Sequence, residues 1–592
     1  MEDRLRIFQK VIRAALFLLV LQCLYLQVIR FPHYRRLSER NCIRIVEFGI
    51  PRGEITDRNG RTLAIDRTCF NLVFSPYDLK NPRRVAELLT RLIGADLQLL
   101  LEEFSSRKGN PFDRFVLKRN LTQEEISKIE EYAFQLPGVF VQAGIDRTYP
   151  LGTGSCHLLG YLGEVSQEQI DSMKEERFKP GDRIGQYGLE KLYDVLLRGK
   201  AGGYQVEVDA LGHQRRVLGK TEMTPGNSLI LTIDQSIQEA AAQELEGKAG
   251  SVVAMDPRSG EILALVSSPG FDSYNIAKAL RAPRQPFLNR VVAGQYPPGS
   301  IFKIVTETAG LELGLIGEHD RVECSGEMTL RDRVFHCWKE GGHGWVDVNL
   351  ALPYSCNIFF GTLGMNVGAR NLLDYAKLFD LGKKTGIDIP GEKPGHLPSV
   401  EESGGSLNLA IGQGALLTTP LQMCQLIAVV ANGGNIWKPF VVKKILDPNG
   451  KIVKEFSQEL KKTVFISEET LAILRKGLKN VVIFGTGASS RISEAVVAGK
   501  TGTAQTAHRD FQSATYGGFA CYADAERPTI ALVVFLDNAG SGQAARIAGR
   551  ILRKVFNPES AEATSSETTV EFDDLPDEPV LVAPVVEERG AI

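Results

Sequence analysis

One feature near the start of this chain limits what the rest can be. From Ala14 to Ile29 every residue is apolar except Gln22 and Gln27. Extended to Val11 and Phe31, the run reaches about 20 residues, roughly the length of a bilayer-spanning helix. Arg13 sits where a long side chain can snorkel to the headgroups. No small-residue cleavage site follows; PHYRRLSERN opens a polar region instead. An uncleaved signal-anchor is therefore expected over residues 11–31, against the competing reading of a buried amphipathic helix. Arg4, Arg6, Lys10 and Arg13 favour a cytoplasmic N-terminus (residues 1–10), although Arg30, Arg35 and Arg36 blur the asymmetry. No second segment is as long and apolar, so nearly all of the chain is expected on one side of the membrane, outside the cytoplasm.

The opposite end differs in kind. Residues 557–592 hold ten acidic side chains and a single base, Arg589, among Pro, Ser and Thr, and read as a disordered acidic tail. The formal charge of −2 for all 592 residues is thus a sum of opposites: without the tail, 68 basic residues face 61 acidic ones. The near balance argues against a nucleic-acid partner. The nine cysteines form an odd set with no regular spacing, unlike a disulfide-stapled module.

A chain this long requires several globular units. Residues 32–224 are rich in charge and turns, with a helical stretch predicted from Arg83 to Phe104. Near Thr224–Ser228 (TPGNS) the pattern changes. LILTID reads as a strand and QSIQEAAAQELEGKAG as a helix. SVVAMDPRSGEILALVSSP reads as a hairpin turning at Asp256–Gly260. EAVVAGKTGTAQTA, TYGGFACYADA and TIALVVFLDN read as three further strands, followed by the helix QAARIAGRILRKVF. The fold class expected for 225–556 is α+β, an antiparallel sheet flanked by helices.

Within that region, QYPPGSIFKIVTETAGLELG places Pro-Pro-Gly ahead of Ser300 and opens a helix. Ser300 and Lys303 share a face, at i and i+3. A helix N-terminus and burial both disfavour a charged lysine, so its neutral amine can activate the serine. Backbone N–H groups there can receive an oxyanion. Ser-x-x-Lys alone is weak, since Ser105-Ser-Arg-Lys108 also matches; that copy ends a helix, where the dipole favours charged lysine. The signature of penicillin-binding proteins and β-lactamases adds Ser-x-Asn and Lys-Thr-Gly. Ser-x-Asn occurs at Ser273, Ser355 and Ser406, and Lys-Thr-Gly at Lys384 and Lys500. Lys384-Thr385-Gly386 follows a helix and reads as a connector. Lys500-Thr501-Gly502-Thr503 lies on a predicted strand, and Ser355-Cys356-Asn357 sits in a predicted turn between helices. The set selected is Ser300, Lys303, Ser355, Asn357, Lys500, Thr501, Gly502 and Thr503. Gly499-Lys500-Thr501 imitates the end of a P-loop, but Glu494 stands where its first glycine is needed.

Together with PRGEITDRNG, RTYPLGTGSCHLLGYLGEV, GLEKLYDVLLRGKAG, YPPGSIFK, TGIDIPGEKPGHLPS and AIGQG, these motifs resemble the class B penicillin-binding proteins, most of all their elongation-specific group, penicillin-binding protein 2. The resemblance runs from the anchor to about Phe556 and excludes the tail. It implies a transpeptidase domain over 225–556 and a pedestal, or dimerisation-like, domain over 32–224. It implies that Ser300 attacks stem peptides ending in D-Ala-D-Ala, with Lys303 as base. Ser355 and Asn357 would relay a proton and hold the substrate amide; Lys500 and Thr501 would bind its carboxylate and lower the Lys303 pKa. The N–H groups of Ser300 and Thr503 would form the oxyanion hole. It further implies acylation by β-lactams and a partner glycosyltransferase of the SEDS (RodA-like) type within an elongation complex. A division-specific relative and a non-catalytic β-lactam sensor are the alternatives. After Lys500-Thr501-Gly502 the family pattern is aromatic-rich, whereas this chain reads TYGGFACYADAERP, so the groove wall departs from it.

Cys324, Cys337, His343 and Cys356 form C-x12-C-x5-H-x12-C. Three thiolates and an imidazole suit a closed tetrahedral zinc site, with His336 in reserve. Buried apolar cysteines, or one disulfide and a spare thiol, are the competing readings. Cys356 is also the middle of Ser355-Cys356-Asn357, so a structural zinc there would steady the loop that aims two site residues. Cys23 and Cys424 are expected simply to be packed, with Cys42, Cys69, Cys156 and Cys521 unassigned. No organic cofactor is expected.

Overall fold

The structure, a computed structural model, describes residues 2–32, 43–47, 51–106, 115–173, 178, 181–200, 202–208, 214–330, 333–507 and 513–557. The acidic tail beyond Asn557, Arg35, Arg36, Cys42 and Lys108 lie outside them. A helix at Glu2–Leu24 continues as a π-turn, Tyr25–Ile29, and the segment Ile7–Ile29 is long and apolar enough to cross a membrane.

The chain divides into two compact units. The first comprises Met1–Gly53, Asp66–Asp146 and Arg198–Gly226. In it, helices Pro82–Ile93, Leu97–Ser106 and Gln123–Glu131 pack on strand residues around Leu72, Phe74 and Val139. The single helical stretch predicted from Arg83 to Phe104 is two helices, because Gly94 takes a left-handed conformation (φ +64°) and stops the first. The Ser105 hydroxyl donates to Glu102 O at 3.0 Å, as in a plain helix end.

The second unit comprises Glu54–Ile65, Arg147–Leu197 and Asn227–Ile592. The motifs of its two early segments have structural reasons. Asp57, fully buried, accepts from the N–H groups of Asn59, Arg61 and Gln235 and so pins the ITDRNG turn. Arg147 and Glu190, from the RTYPLG and GLEKLY motifs, form a buried pair at 2.7 Å; losing one partner of such a pair typically costs about 3–5 kcal/mol. LILTID forms the strand Ser228–Leu231, which pairs with Val442–Leu446 and Ile55–Thr56 rather than with the central sheet.

That central sheet has five antiparallel strands. In chain order its parts are α1 (Gln235–Glu244), β1 (Gly250–Met255), β2 (Ile262–Ser268), β3 (Val497–Ala507), β4 (Ser513–Ala523), β5 (Ile530–Asp537) and a closing helix, Ser541–Phe556, with strand order β2-β1-β5-β4-β3. The two-residue period of a strand sends Val252, Ala254, Leu532 and Val534 to one face, against α1 and the closing helix. Val253, Met255, Ala531 and Val533 go to the other, against the helix Pro420–Asn432. Both faces are covered, so β1 and β5 are apolar nearly throughout. β3 lies at the sheet's edge, so one of its long sides is not paired within the sheet.

Candidate active site

Ser300 lies on a 3-10 turn, Gly299–Phe302, that leads into α2 (Lys303–Glu312). The sequence predicted a helix opening at the serine; the tighter turn arises because Gly299 is left-handed (φ +54°). A Cβ at Gly299 would stand 2.8 Å from Thr503 O, and one at Gly502 would stand 2.8 Å from Pro298 O. Two glycines thus let the serine turn and β3 press backbone to backbone. Gly299 N–H donates to Gly412 O at 3.1 Å, so the AIGQG segment supports the turn from beneath. Ser300 is partly exposed, while Lys303 is fully buried.

Ser355 ends the helix α3 (Val348–Tyr354), and Asn357 begins α4 (Asn357–Leu378). Ser355 holds φ +48°, a left-handed conformation costly for a non-glycine residue and typical of functional sites. The turn projects both polar side chains at one amine. Lys303 Nζ donates to Ser355 O at 2.7 Å and to Asn357 Oδ1 at 2.8 Å, and lies 3.2 Å from Ser355 Oγ. From the strand side, Lys500 Nζ donates to the same Ser355 Oγ at 2.9 Å and to Thr501 O at 3.1 Å. Two lysines 197 positions apart therefore meet on one hydroxyl. Thr501 Oγ1 bonds Thr486 Oγ1 at 2.6 Å, and Thr503 Oγ1 donates to Ser541 Oγ at 2.9 Å.

Burial pushes the Lys303 amine down to about 7, against the opposing pull of Cys356 and Cys337. Lys500 is depressed well below the usual lysine range, by burial first and then by Lys303, with Glu307 opposing. Burial, expected from the sequence, thus accounts for Lys303; the further lowering that the resemblance assigned to Lys500 is not among its causes, and the repulsion between the two amines weighs on Lys500 instead.

Beside this site stand Cys324, Cys337, His343 and Cys356, whose ligand atoms all lie within 4.8 Å of one another. His343 Nδ1 is 3.6 Å from Cys324 Sγ and 3.5 Å from Cys337 Sγ. Zinc–sulfur and zinc–nitrogen bonds of ordinary length at tetrahedral angles give an S···N edge of about 3.6 Å, so the four residues fit that geometry. The Cys337 thiol is pushed well down, first by its hydrogen bond with Cys356 and also by His343, while Cys356 is raised as its partner. Trp338 Nε1 donates to Tyr354 O at 2.8 Å, and the His343 ring stacks on Tyr354, fastening the cluster to the end of α3. The reserve ligand His336 is exposed, turned to Glu327, and stands apart from the cluster. The eight described cysteines are all free thiols; Cys69, Cys156, Cys424 and Cys521 are buried, and Cys23 lies in the apolar helix.

All eight selected site residues fall in this one region, and the rejected motifs do not join it. Lys384-Thr385-Gly386 is a connector held by Glu392, which accepts from Thr385 N–H, Thr385 Oγ1 and Gly386 N–H. Ser273 donates to Gly160 O, and Ser406 starts a short helix, Ser406–Ala410. Sequence reasoning missed Thr486, Ser541, Gln413 (Nε2 to Thr503 O, 3.5 Å) and the buried Glu307. None of these belongs to a tripeptide motif; only the three-residue periodicity from Ser300 could have drawn attention to α2. In the departing segment, Tyr516 lies opposite Ala504 and stacks on Phe535, while Gly517 and Gly518 face Thr503 and Gly502.

The chain that carries this arrangement matches known proteins over most of its length. The penicillin-binding protein transpeptidase domain matches residues 250–557, and the penicillin-binding protein dimerisation domain matches residues 49–231. The chain is 33% identical to the peptidoglycan D,D-transpeptidase MrdA of Acinetobacter baumannii, over 93% of this chain and 87% of that protein. Among solved structures it is similar to penicillin-binding protein 2 of Helicobacter pylori in complex with MreC (TM-score 0.70, 25% identity, 88% of this chain and 99% of that one). It is also similar to a chain of a peptidoglycan synthase complex that coordinates polymerisation and cross-linking (TM-score 0.66, 28% identity, 93% and 98%). The chain belongs to the class B penicillin-binding proteins. Within that family it is a peptidoglycan D,D-transpeptidase of the elongation type.

Proposed function

We propose that Ser300 is the nucleophile of this transpeptidase, that Lys303 and Ser355 move its proton, and that Lys500 holds the substrate carboxylate beside them. The observation that carries the reading is the approach of both lysine amines to Ser355 Oγ, at 3.2 and 2.9 Å. A neutral Lys303 amine uses two N–H groups on Ser355 O and Asn357 Oδ1, leaving its lone pair for the Ser300 hydroxyl proton. Ser300 Oγ then bonds the carbonyl carbon of the penultimate D-alanine, and the oxyanion is received by the N–H groups of Ser300 and Thr503. The Lys303 ammonium already has its third acceptor in Ser355 Oγ. Through it the proton passes to the amine of the departing D-alanine as the C–N bond breaks, leaving an acyl-enzyme. An amine of a neighbouring stem attacks that ester, its proton returns by the same route to Ser300 Oγ, and a cross-link forms. Lys500 and Thr501 hold the carboxylate of the terminal D-alanine, and the Gly502 backbone lets β3 lie close enough to do so. A β-lactam presents the same carbonyl and carboxylate but keeps its leaving group tethered, so acylation is expected and rapid hydrolysis is not.

A structural zinc held by Cys324, Cys337, His343 and Cys356 is part of the reading; its chemistry is to fix the Ser355–Asn357 turn, and no proton or bond passes through it. The apolar helix Ile7–Ile29 serves as a single-pass anchor in the inner membrane, N-terminus inside, with the catalytic unit in the periplasm. The solved relatives, one bound to MreC and one within a peptidoglycan synthase complex, support engagement of elongation machinery by this chain, and the motif resemblance adds a RodA-like SEDS polymerase as the expected partner. Labelling of the detergent-solubilised chain with a fluorescent penicillin tests the central claim. Wild type should form one covalent adduct, and Ser300→Ala none; an unchanged adduct in Ser300→Ala would assign the nucleophile elsewhere.

A further inference from the structure

The carboxylate anchor on β3 is braced from behind by a loop that belongs to none of the site's motifs. Phe484-Gly485-Thr486-Gly487 joins the helix Glu468–Ile483 to the 3-10 turn Ala488–Ser490. The Gly485 and Gly487 N–H groups donate to Asn480 O and Val481 O, at 3.1 and 2.9 Å, so the loop closes onto the helix it leaves. The packing leaves no room for side chains at either glycine. A Cβ on Gly485 would stand 2.6 Å from Pro353 O, and one on Gly487 would stand 3.0 Å from the buried Phe519 ring of β4. Thr486, held between them, spans two parts of the site. Its N–H donates to Pro353 O at 3.3 Å, in the last turn of α3 just ahead of Ser355. Its Oγ1 meets Thr501 Oγ1 on β3 at 2.6 Å.

A threonine hydroxyl has one proton to give and two lone pairs with which to receive. Thr501 is almost wholly buried, and Lys500 Nζ already approaches its Oγ1 as a donor, at 3.5 Å. The contact with Thr486 has two possible directions. If Thr501 donated, its one proton would point into the loop, and the carboxylate of the terminal D-alanine would meet lone pairs. If Thr486 donates, the lone pairs of Thr501 are used on the protein side and its proton is left to face the substrate. A carboxylate accepts and cannot donate, so only the second direction serves binding. We propose that Thr486 is a positioning residue: its hydroxyl donates to Thr501 Oγ1 and thereby turns the Thr501 proton towards the substrate carboxylate. The hydrogen bonds from Thr486 to Thr501 to carboxylate then run in one sense, and each strengthens the next. Lys500 supplies charge at that carboxylate; Thr486 supplies direction.

The inference rests on Thr501 as part of the carboxylate anchor, so the test carries its own control. The full chain in detergent is labelled with a fluorescent penicillin and with the methyl ester of the same penicillin, whose neutral carbonyl is the weaker acceptor. The ratio of the two second-order acylation rates is the readout. Thr486→Val keeps the shape of the side chain and the N–H bond to Pro353 O, and removes the hydroxyl. It should lower the acid-to-ester ratio by about fivefold to tenfold, the worth of one hydrogen bond. The loss should fall on apparent binding of the acid, with the rate constant at saturation within about twofold of wild type. Thr486→Ser returns the hydroxyl and should restore the ratio. Thr501→Val removes the anchoring hydroxyl itself, and an unchanged ratio there overturns the anchor and the proposal with it. A ratio lowered in Thr501→Val but unchanged in Thr486→Val overturns the proposal alone, as does an equal loss on acid and ester, which marks a packing effect. If Thr486→Val does not fold, Thr486→Ala is read by the same ratio, and a lowered ratio in Thr486→Ser, with the hydroxyl still present, refutes the proposal by itself.

Discussion

At the scale of single residues, this site is an exercise in keeping a lysine neutral. Lys303 is fully buried, and burial brings its amine from the usual 10.5 to about 7. A shift of that size is a free-energy cost of roughly 1.4 kcal/mol per unit, borne by the fold so that the base is available at neutral pH. The sign of the pH dependence follows. Above about 7 the amine is neutral and accepts the Ser300 proton; below it the ammonium cannot. Penicillin acylation should therefore fall towards tenfold per pH unit on the acid side of about 7, with no such limb at the pH where carboxylates titrate. Lys303→Arg should lose acylation by about 10²–10⁴-fold at every pH, since a guanidinium does not deprotonate in this range. An acid limb centred near 4 in stopped-flow labelling would move the base to a carboxylate. Nothing in Ser-x-x-Lys itself reports this: Ser105-Ser-Arg-Lys108 has the same letters, and it is the fold around Ser300 that buries Lys303.

Elements, rather than residues, bring the site together. The turn between α3 and α4 aims Ser355 and Asn357 at Lys303, and Cys356 at its centre caps α4 by accepting Phe359 N–H at 3.4 Å. With zinc bound, that cysteine would also be tied to the strands carrying Cys324 and to the loop of Cys337 and His343. Two substitutions separate these duties. Cys356→Ala removes cap and metal ligand together, whereas Cys356→Ser keeps a good cap, a difference of about 1 kcal/mol. Elemental analysis should find zinc in the wild type and in neither variant, and both variants should acylate penicillin at least about tenfold more slowly, as loss of a supporting metal shell does, with the alanine variant melting lower. Metal-free protein that acylates at the wild-type rate would sink the structural role. This element was half legible. Apolar runs marked β1, β2 and β5, and two predicted helices framed Ser355, because local patterning survives in the fold. The tie between Lys500 and Ser355 was not, since register across 145 positions leaves no local trace. Glu307 was hidden for the opposite reason: in FKIVTETAGLELG it looks like an ordinary polar residue of a surface helix, and only tertiary packing buries it. The break at Gly94 was missed because a lone glycine in a helical pattern is more often tolerated than obeyed.

For the whole molecule, charge is divided along the chain as unevenly as hydrophobicity. The residues up to Phe556 carry a net excess of seven basic groups, and 557–592 carry a net nine negative ones. The substrate polymer bears stem-peptide carboxylates, so the body is attracted to it and the tail repelled, over a range of about 8–10 Å at physiological ionic strength. The expected role of the tail is a counterweight that limits non-specific retention on the wall without touching the chemistry, because the site residues lie between Ser300 and Ser541. Ending the chain at Phe556 should leave penicillin acylation within about twofold, inside the spread of surface changes remote from a site. It should increase co-sedimentation with purified sacculi at low salt, and the excess should vanish near 0.5 M salt, where the screening length falls to roughly 4 Å. Equal sedimentation of the two chains at low salt would show that the tail's charge does not act at this distance, whereas a fall in acylation would place the tail's influence inside the catalytic unit.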